Sequence, residues 1–192
     1  MTSRDDVSVE SSLSRIAAEV ASVVDRLTAA PGDLDRALDL LAGADRVFVL
    51  GAGRSGLALR MTAMRLMHLG LDVHVVGETT TPAIRAGDVL LAASGSGTTG
   101  AIVRAAEIAA AAGARLIALT TAPDSPLGRA ADALVVVPAA AKLDRSGAAS
   151  AQYAGSLFEQ TVALVGDAIF DALWHRSGLS ADELWPRHAN LE

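Results

Sequence analysis

The strongest constraint on the fold is a set of five short apolar runs that scarcely alternate with polar residues. They are RVFVLGAG (46–53), LDVHVVGE (71–78), DVLLAAS (88–94), ARLIALTT (114–121) and DALVVVP (132–138). A strand with one wet face alternates apolar and polar side chains. A strand covered on both faces reads as a near-continuous apolar run, the mark of a parallel sheet between helical layers. The intervening segments support this. Residues 54–70 and 99–113 have helical character and end in Gly70 and Gly113. PLGRAA (126–131) predicts a short turn or helix. Residues 9–29 place Leu13, Ile16, Val20, Val23, Val24 and Leu27 at helical spacing, and Pro31 with Gly32 stops that helix. Asp33 is the expected cap of a second helix carrying Leu34, Ala37, Leu38 and Leu41 on one face. A long helix is expected over 152–177 and a short one within 180–192. The expected fold is α/β: a three-layer αβα sandwich with a parallel five-stranded sheet, in one domain spanning 1–192. Helices occupy 1–45, the sheet core 46–138 and C-terminal helices 150–192.

Composition narrows the function. Sixteen Lys and Arg against 22 Asp and Glu give a net charge of −6, and no basic stretch suggests nucleic acid as a partner. The absence of cysteine excludes a disulfide framework, a thiolate nucleophile and thiolate-bound metal. The first 16 residues lack an apolar core of the signal-peptide kind, and no apolar stretch approaches the ~18 residues of a membrane helix, so a cytoplasmic protein is expected. No H-x-x-E-H or related spacing is present, and no metal is expected.

In a doubly covered parallel sheet, ligands gather beyond the C-terminal ends of the strands. Here those ends are rich in glycine and hydroxyls. GAGRSG (51–56) matches G-x-G-x-x-G, and Glu78 follows Gly56 by roughly the spacing of a dinucleotide motif's acidic residue. However, Arg54 and Ser55 inside the turn suit side-chain contact with an anion, whereas the dinucleotide motif works by bare backbone. SGSGTT (94–99) is more informative. Gly95 and Gly97 permit a tight turn, Ser94, Ser96, Thr98 and Thr99 offer hydroxyls, and the following helix presents its N-terminus. This is a phosphate cradle without lysine. It lacks G-K-[ST] and so is not a nucleoside-triphosphate loop. An ordinary Ser/Gly turn is the alternative.

These two strings together resemble the sugar isomerase (SIS) domain family over about residues 47–172. AMRLMHLG (63–70), GETTTP (77–82), GSLFEQ (155–160) and RHANL (187–191) narrow the resemblance to the 6-phospho-3-hexuloisomerases. That resemblance implies interconversion of D-arabino-hex-3-ulose 6-phosphate and D-fructose 6-phosphate, in the ribulose monophosphate pathway of formaldehyde fixation. It assigns Ser55, Ser94, Ser96 and Thr99 to phosphate binding and Glu159 to the general base. It brings His188 to the site from a neighbouring subunit. It also implies a homotetramer and a functional partner, hexulose-6-phosphate synthase. The chain departs from the family pattern at Tyr153 and Ala154, where proline and methionine are usual.

Such a carbonyl shift needs no redox cofactor. One carboxylate can move a proton between adjacent carbons through a cis-enediol. Read from spacing alone, Glu159 is equally a capping-box partner of Ser156. Arg54 is expected to neutralise phosphate or enediolate charge. Glu78, Thr79 and Thr80 are expected to line the sugar pocket, with a turn at Pro82 as the alternative. His188 could shuttle a proton or open a ring, or be a solvated tail residue. His68 is a weaker catalytic candidate, and His74 is expected to be structural. Met61, Met64 and Met67 recur at threes and suit core or interface packing. Two other readings stay open: a different aldose/ketose phosphate isomerase, such as one for arabinose 5-phosphate, and a non-catalytic sugar-phosphate sensor.

Overall fold

The computed structural model describes residues 8–29, 32–140, 144 and 150–191. The expected helix stop at Pro31 lies outside the described residues. Two helices, α1 (Val9–Thr28) and α2 (Gly32–Ala42), precede β1 (Val47–Gly51), α3 (Gly53–Leu69), β2 (Val73–Val75) and β3 (Val89–Ala93). Then follow α4 (Gly100–Ala111), β4 (Arg115–Thr120), α5 (Pro126–Ala130), β5 (Ala133–Val136), α6 (Ser156–Ser177) and α7 (Ala181–Leu184). A 3₁₀ turn (Trp185–Arg187) ends the described helical structure. All strand pairs are parallel, in the order β2-β1-β3-β4-β5.

The near-continuous apolar runs have the expected cause. Successive side chains of a strand point to opposite faces. Val89, Leu91 and Ala93 of β3 enter a core with α1, α2, α3 and α6, whereas Leu90 and Ala92 enter a second core with α4 and α5. β4 divides likewise, Ile117 and Leu119 to one side and Leu116 and Ala118 to the other.

Close backbone approaches fix two joints. A Cβ on Gly56 would lie 2.5 Å from the Gly51 carbonyl oxygen, so the glycines of GAGRSG let α3 press on the end of β1. A Cβ on Gly166 would lie 2.0 Å from Thr62 Oγ1, so α6 crosses α3 at glycine distance. At the opposite, N-terminal edge of the sheet, buried Asp88 accepts from Arg46 Nε (3.0 Å), Arg46 Nη2 (2.6 Å) and the Arg85 amide (2.8 Å). Burial pushes the Asp88 carboxyl up, but these donors outweigh it and hold it below the usual carboxylate value.

Several boundaries differ from the sequence expectation. β2 is only three residues long, because Gly77 takes a positive φ of 98° and turns the chain. α2 begins at Gly32, which leaves Asp33 inside its first turn rather than at its cap. α6 begins at Ser156 rather than at residue 152, after a strap in which Ala154 has φ 48°. No Ser156–Glu159 capping box forms, since Ser156 Oγ donates to the Tyr153 carbonyl. Such a box forms instead between Ser180 and Glu183 at the start of α7. Met61 and Met64, at 52% and 49% exposure, are outside the core of this chain, which leaves the interface reading of that stripe.

Candidate active site

A pocket of about 630 Å³, counted to its open mouth, lies where the strands point, within the range of small-molecule sites. Its polar walls are Ser55 at the start of α3, Ser94, Ser96 and Thr99 of the SGSGTT loop, and Glu159 in the first turn of α6. Phe158 and Ile102 supply the main apolar surface.

The loop is held from behind. The Gly95 carbonyl accepts from the Thr121 amide (3.0 Å), Thr121 Oγ1 (2.8 Å) and Thr120 Oγ1 (3.1 Å). The Leu127 amide at the start of α5 donates to the Gly97 carbonyl at 3.1 Å. Gly97 itself has φ +62°, and a Cβ there would lie 1.9 Å from Ser125 Oγ, so no other residue fits this turn without displacement. Inside the pocket, Ser94 Oγ and Thr99 Oγ1 are 2.9 Å apart, and Ser96 Oγ accepts from the Thr98 amide and hydroxyl at 3.3 and 3.0 Å.

Three helices begin at this pocket. The N-caps of α3, α4 and α6 are Ala52, Thr99 and Gly155; all three line the pocket, and none makes a side-chain cap bond. By contrast α1, α5 and α7 are capped by Ser8, Ser125 and Ser180. Uncapped N-termini present amide donors and partial positive charge, and three aimed at one hollow make a strong anion site. The sequence pointed to the α4 terminus alone. The other two converge through the sheet order and the α3–α6 crossing, which the sequence does not display.

The Glu159 side chain is 24% exposed and pairs with Arg54 Nε at 2.7 Å. The pair joins the first turns of α3 and α6 across the mouth. Among the described residues, the pocket wall therefore combines hydroxyl and amide donors with one carboxylate, Glu159, whose partner Arg54 lies outside the lining.

Other expected residues lie elsewhere. Glu78 pairs with Arg60 of α3 at 2.6 Å; it, Thr79 and Thr80 are exposed and are not among the lining residues of the pocket. His188 stacks on His68 with ring centroids 4.0 Å apart and lies 4.7 Å from the Trp185 ring. Arg187 donates to the His68 carbonyl at 3.0 Å. His68 ends α3, thirteen residues beyond Ser55, so this cluster is ~20 Å along the helix from the pocket of its own chain. Within one chain Glu159 and His188 are not brought together. His68 is 3% exposed; burial, then the nearby His188 and Arg65, holds its pKa below the ordinary histidine value. His74 packs its ring 5.1 Å from Phe48, within the sheet layer.

A second hollow of about 660 Å³, between α1, α2 and α6, has mainly aliphatic walls and gathers no comparable donors. Among the described residues, no group of three or more His, Asp or Glu is placed to hold a metal, and no helix is long and apolar enough to cross a membrane.

The overall fold recurs in solved structures. The family model described as SIS domain matches residues 40–164. The chain belongs to the SIS domain family. Among its relatives in that family, the 3-hexulose-6-phosphate isomerase of Mycobacterium gastri is 64% identical over 147 residues, covering 77% of this chain and 74% of that one. The enzyme of that name from Bacillus subtilis (strain 168) is 38% identical, covering 83% and 87%. A solved structure from Methanococcus jannaschii, for which a 3-hexulose-6-phosphate isomerase function was inferred, superposes with a TM-score of 0.82 at 28% identity, covering 95% of this chain and 99% of that one.

Proposed function

We propose that the chain is a sugar-phosphate isomerase that interconverts D-arabino-hex-3-ulose 6-phosphate and D-fructose 6-phosphate. The observation that carries this reading is one carboxylate, Glu159, set in the wall of a pocket where three uncapped helix N-termini converge. The named relatives support the choice of sugar.

In this mechanism Ser55, Ser94, Ser96 and Thr99 hold the phosphate, with Gly95 and Gly97 shaping the loop. Binding energy from the remote phosphate orients the reacting carbons. The Glu159 carboxylate removes the C2 proton of the 3-hexulose, giving a cis-enediol, and returns it to C3 as the carbonyl moves to C2. Arg54, already 2.7 Å from Glu159, faces the negative charge that develops on the enediolate oxygens. The 3-hexulose cannot close a five-membered ring through O6, so only the reverse direction needs ring opening. His188, remote from the pocket of its own chain, serves the pocket of a neighbouring subunit, moving a proton between O2 and O3 or opening fructose 6-phosphate.

That role requires an oligomer, and a homotetramer with sites at subunit interfaces fits it. The exposed Leu57, Met61 and Met64 stripe of α3 offers a surface for association. The enzyme acts in the cytoplasm, with hexulose-6-phosphate synthase as its functional partner in the ribulose monophosphate pathway of formaldehyde fixation.

The test offers fructose 6-phosphate and arabinose 5-phosphate side by side to the wild type and to Glu159→Gln. Turnover of fructose 6-phosphate is expected, with a loss of ~10²–10⁴-fold in the variant. Turnover of arabinose 5-phosphate alone overturns the substrate. Full activity in the variant overturns the mechanism. Binding of both sugars without turnover supports a sensor.

A further inference from the structure

Residues 150–155 form a strap that runs into α6 and supplies Ala154 and Gly155 to the pocket wall. The strap is irregular, and Ala154 sits at φ 48°, where side chains other than glycine are disfavoured. Its shape is held from outside. Glu19 of α1, more than 130 residues away in sequence, turns its carboxylate onto three successive strap residues. Oε2 accepts from Ser150 Oγ at 2.6 Å and Gln152 Nε2 at 3.0 Å, and Oε1 accepts from the Ala151 amide at 2.8 Å. The second link runs inward. The side-chain amides of Gln152 and Gln160 bond each other in both directions, at 3.1 and 2.8 Å. Gln160 is the neighbour of Glu159 on α6. A continuous path of hydrogen bonds therefore leads from α1, through the strap, to the turn that presents the carboxylate.

We propose that Glu19 is a positioning residue of the active site, which holds the strap so that Ala154, Gly155 and the first turn of α6 keep Glu159 in register with the bound sugar. The assignment rests on the reading of this pocket as the isomerase site. Glu19 does not line the pocket. Its carboxylate matches the donors it faces: three acceptor contacts are met by a hydroxyl, a backbone N–H and a side-chain amide. Charged acceptors of this kind form the stronger hydrogen bonds. The phosphate cradle is fixed separately, by β4 and α5, through Gly95 and Gly97. The two halves of the site are thus held by different parts of the chain. Loss of the tether should disturb sugar positioning and spare phosphate binding.

The experiment compares Glu19→Ala and Gln152→Ala, singly and together, with the wild type in the full chain. It reads kcat and KM for fructose 6-phosphate, competitive inhibition by inorganic phosphate, and Tm. The expected result is a fall in kcat/KM of about tenfold or more in each single variant, since ångström-scale misplacement of a base is costly. Phosphate inhibition stays within twofold of wild type, and the double variant is no worse than the poorer single one. The more conservative Glu19→Gln, which keeps one acceptor, falls between. Wild-type kcat and KM in Glu19→Ala overturn the proposal. So does a fall in activity matched by loss of phosphate inhibition and a lower Tm, which marks general loosening. Failure of the underlying site reading has a separate signature, undiminished turnover in Glu159→Gln.

Discussion

Replacing Gly166 by alanine tests whether the crossing of α3 and α6 sets the catalytic geometry. An added Cβ would fall 2.0 Å from Thr62 Oγ1, 3.0 Å from its Cβ and 3.2 Å from its Cγ2. Thr62 is 1% exposed, and its hydroxyl donates to the Ala58 carbonyl at 3.3 Å. A β-branched side chain in a helix has few rotamers to escape into. Contact at a normal separation of ~3.4 Å or more therefore requires α6 to retreat from α3 by about 1 Å. Overpacking of this kind costs ~1–3 kcal/mol. Alanine recovers ~1 kcal/mol through its better helix propensity. The net loss is ~1 kcal/mol, or roughly 2–4 °C in Tm for a chain of this length. Activity should suffer more. Glu159 and Arg54 lie about two turns before the crossing on their respective helices, and a 1 Å shift there costs ~10²-fold. Thermal melting and isomerisation kinetics are measured on Gly166→Ala and on the double variant with Thr62→Ala. The second change removes the hydroxyl and methyl that collide, and it should restore much of the turnover. A Gly166→Ala variant that melts higher, as helix propensity alone predicts, and turns over at the wild-type rate would refute the reasoning.

Two predictions concern pH. Asp88 is held below the ordinary aspartate value of 3.8, so the stability it contributes is complete above about pH 4 and is lost as pH falls below that. Asp88→Asn should lower stability at neutral pH, by weakening the acceptor that half-buried Arg46 and the Arg85 amide share, and should flatten the acid limb of a Tm-against-pH curve; an unchanged acid limb counts against the assignment. His68 titrates below its ordinary value of 6.5 in the fold, so the unfolded chain takes up the proton first. Stability should therefore decline as pH drops below about 6.5, more in the wild type than in His68→Phe, which keeps a ring against His188. Equal slopes in the two proteins would remove His68 as the cause.

The sheet was legible because its inner strands, β1, β3 and β4, are covered on both faces, so their runs stand out without alternation. The SGSGTT turn was legible because its backbone needs glycine: Gly97 takes φ +62°, and a Cβ there would lie 1.9 Å from Ser125 Oγ. What stayed hidden depends on contacts between distant segments. Ser156 and Glu159 have capping-box spacing, yet Glu159 is drawn to Arg54 and Ser156 to the Tyr153 carbonyl. Glu78 has the spacing of a ligand-facing acid, yet Arg60, one turn or more along α3 from Arg54, claims it. The glycines of GAGRSG resemble a nucleotide fingerprint, but the mutual approach of Gly51 and Gly56 explains two of them by packing, and a φ of +57° explains Gly53. Glu19 gave no sequence signal, being one of several polar residues on a half-exposed helix.

The separate anchoring of the cradle and the strap has an evolutionary consequence. The cradle is built into strand ends and helix starts, where most substitutions would also damage the sheet. Among the described residues, the strap's links to α1 run through the Glu19 side chain, and it carries no strand. Changes in 150–154 therefore leave the sheet and the SGSGTT loop untouched, whereas Gly155, the N-cap of α6, belongs to the pocket's donor set. Tyr153 and Ala154 lie within that stretch. With the proposed roles of Glu159 and the SGSGTT loop, substrate preference can drift at residues 150–154 while the grip on phosphate stays with the scaffold.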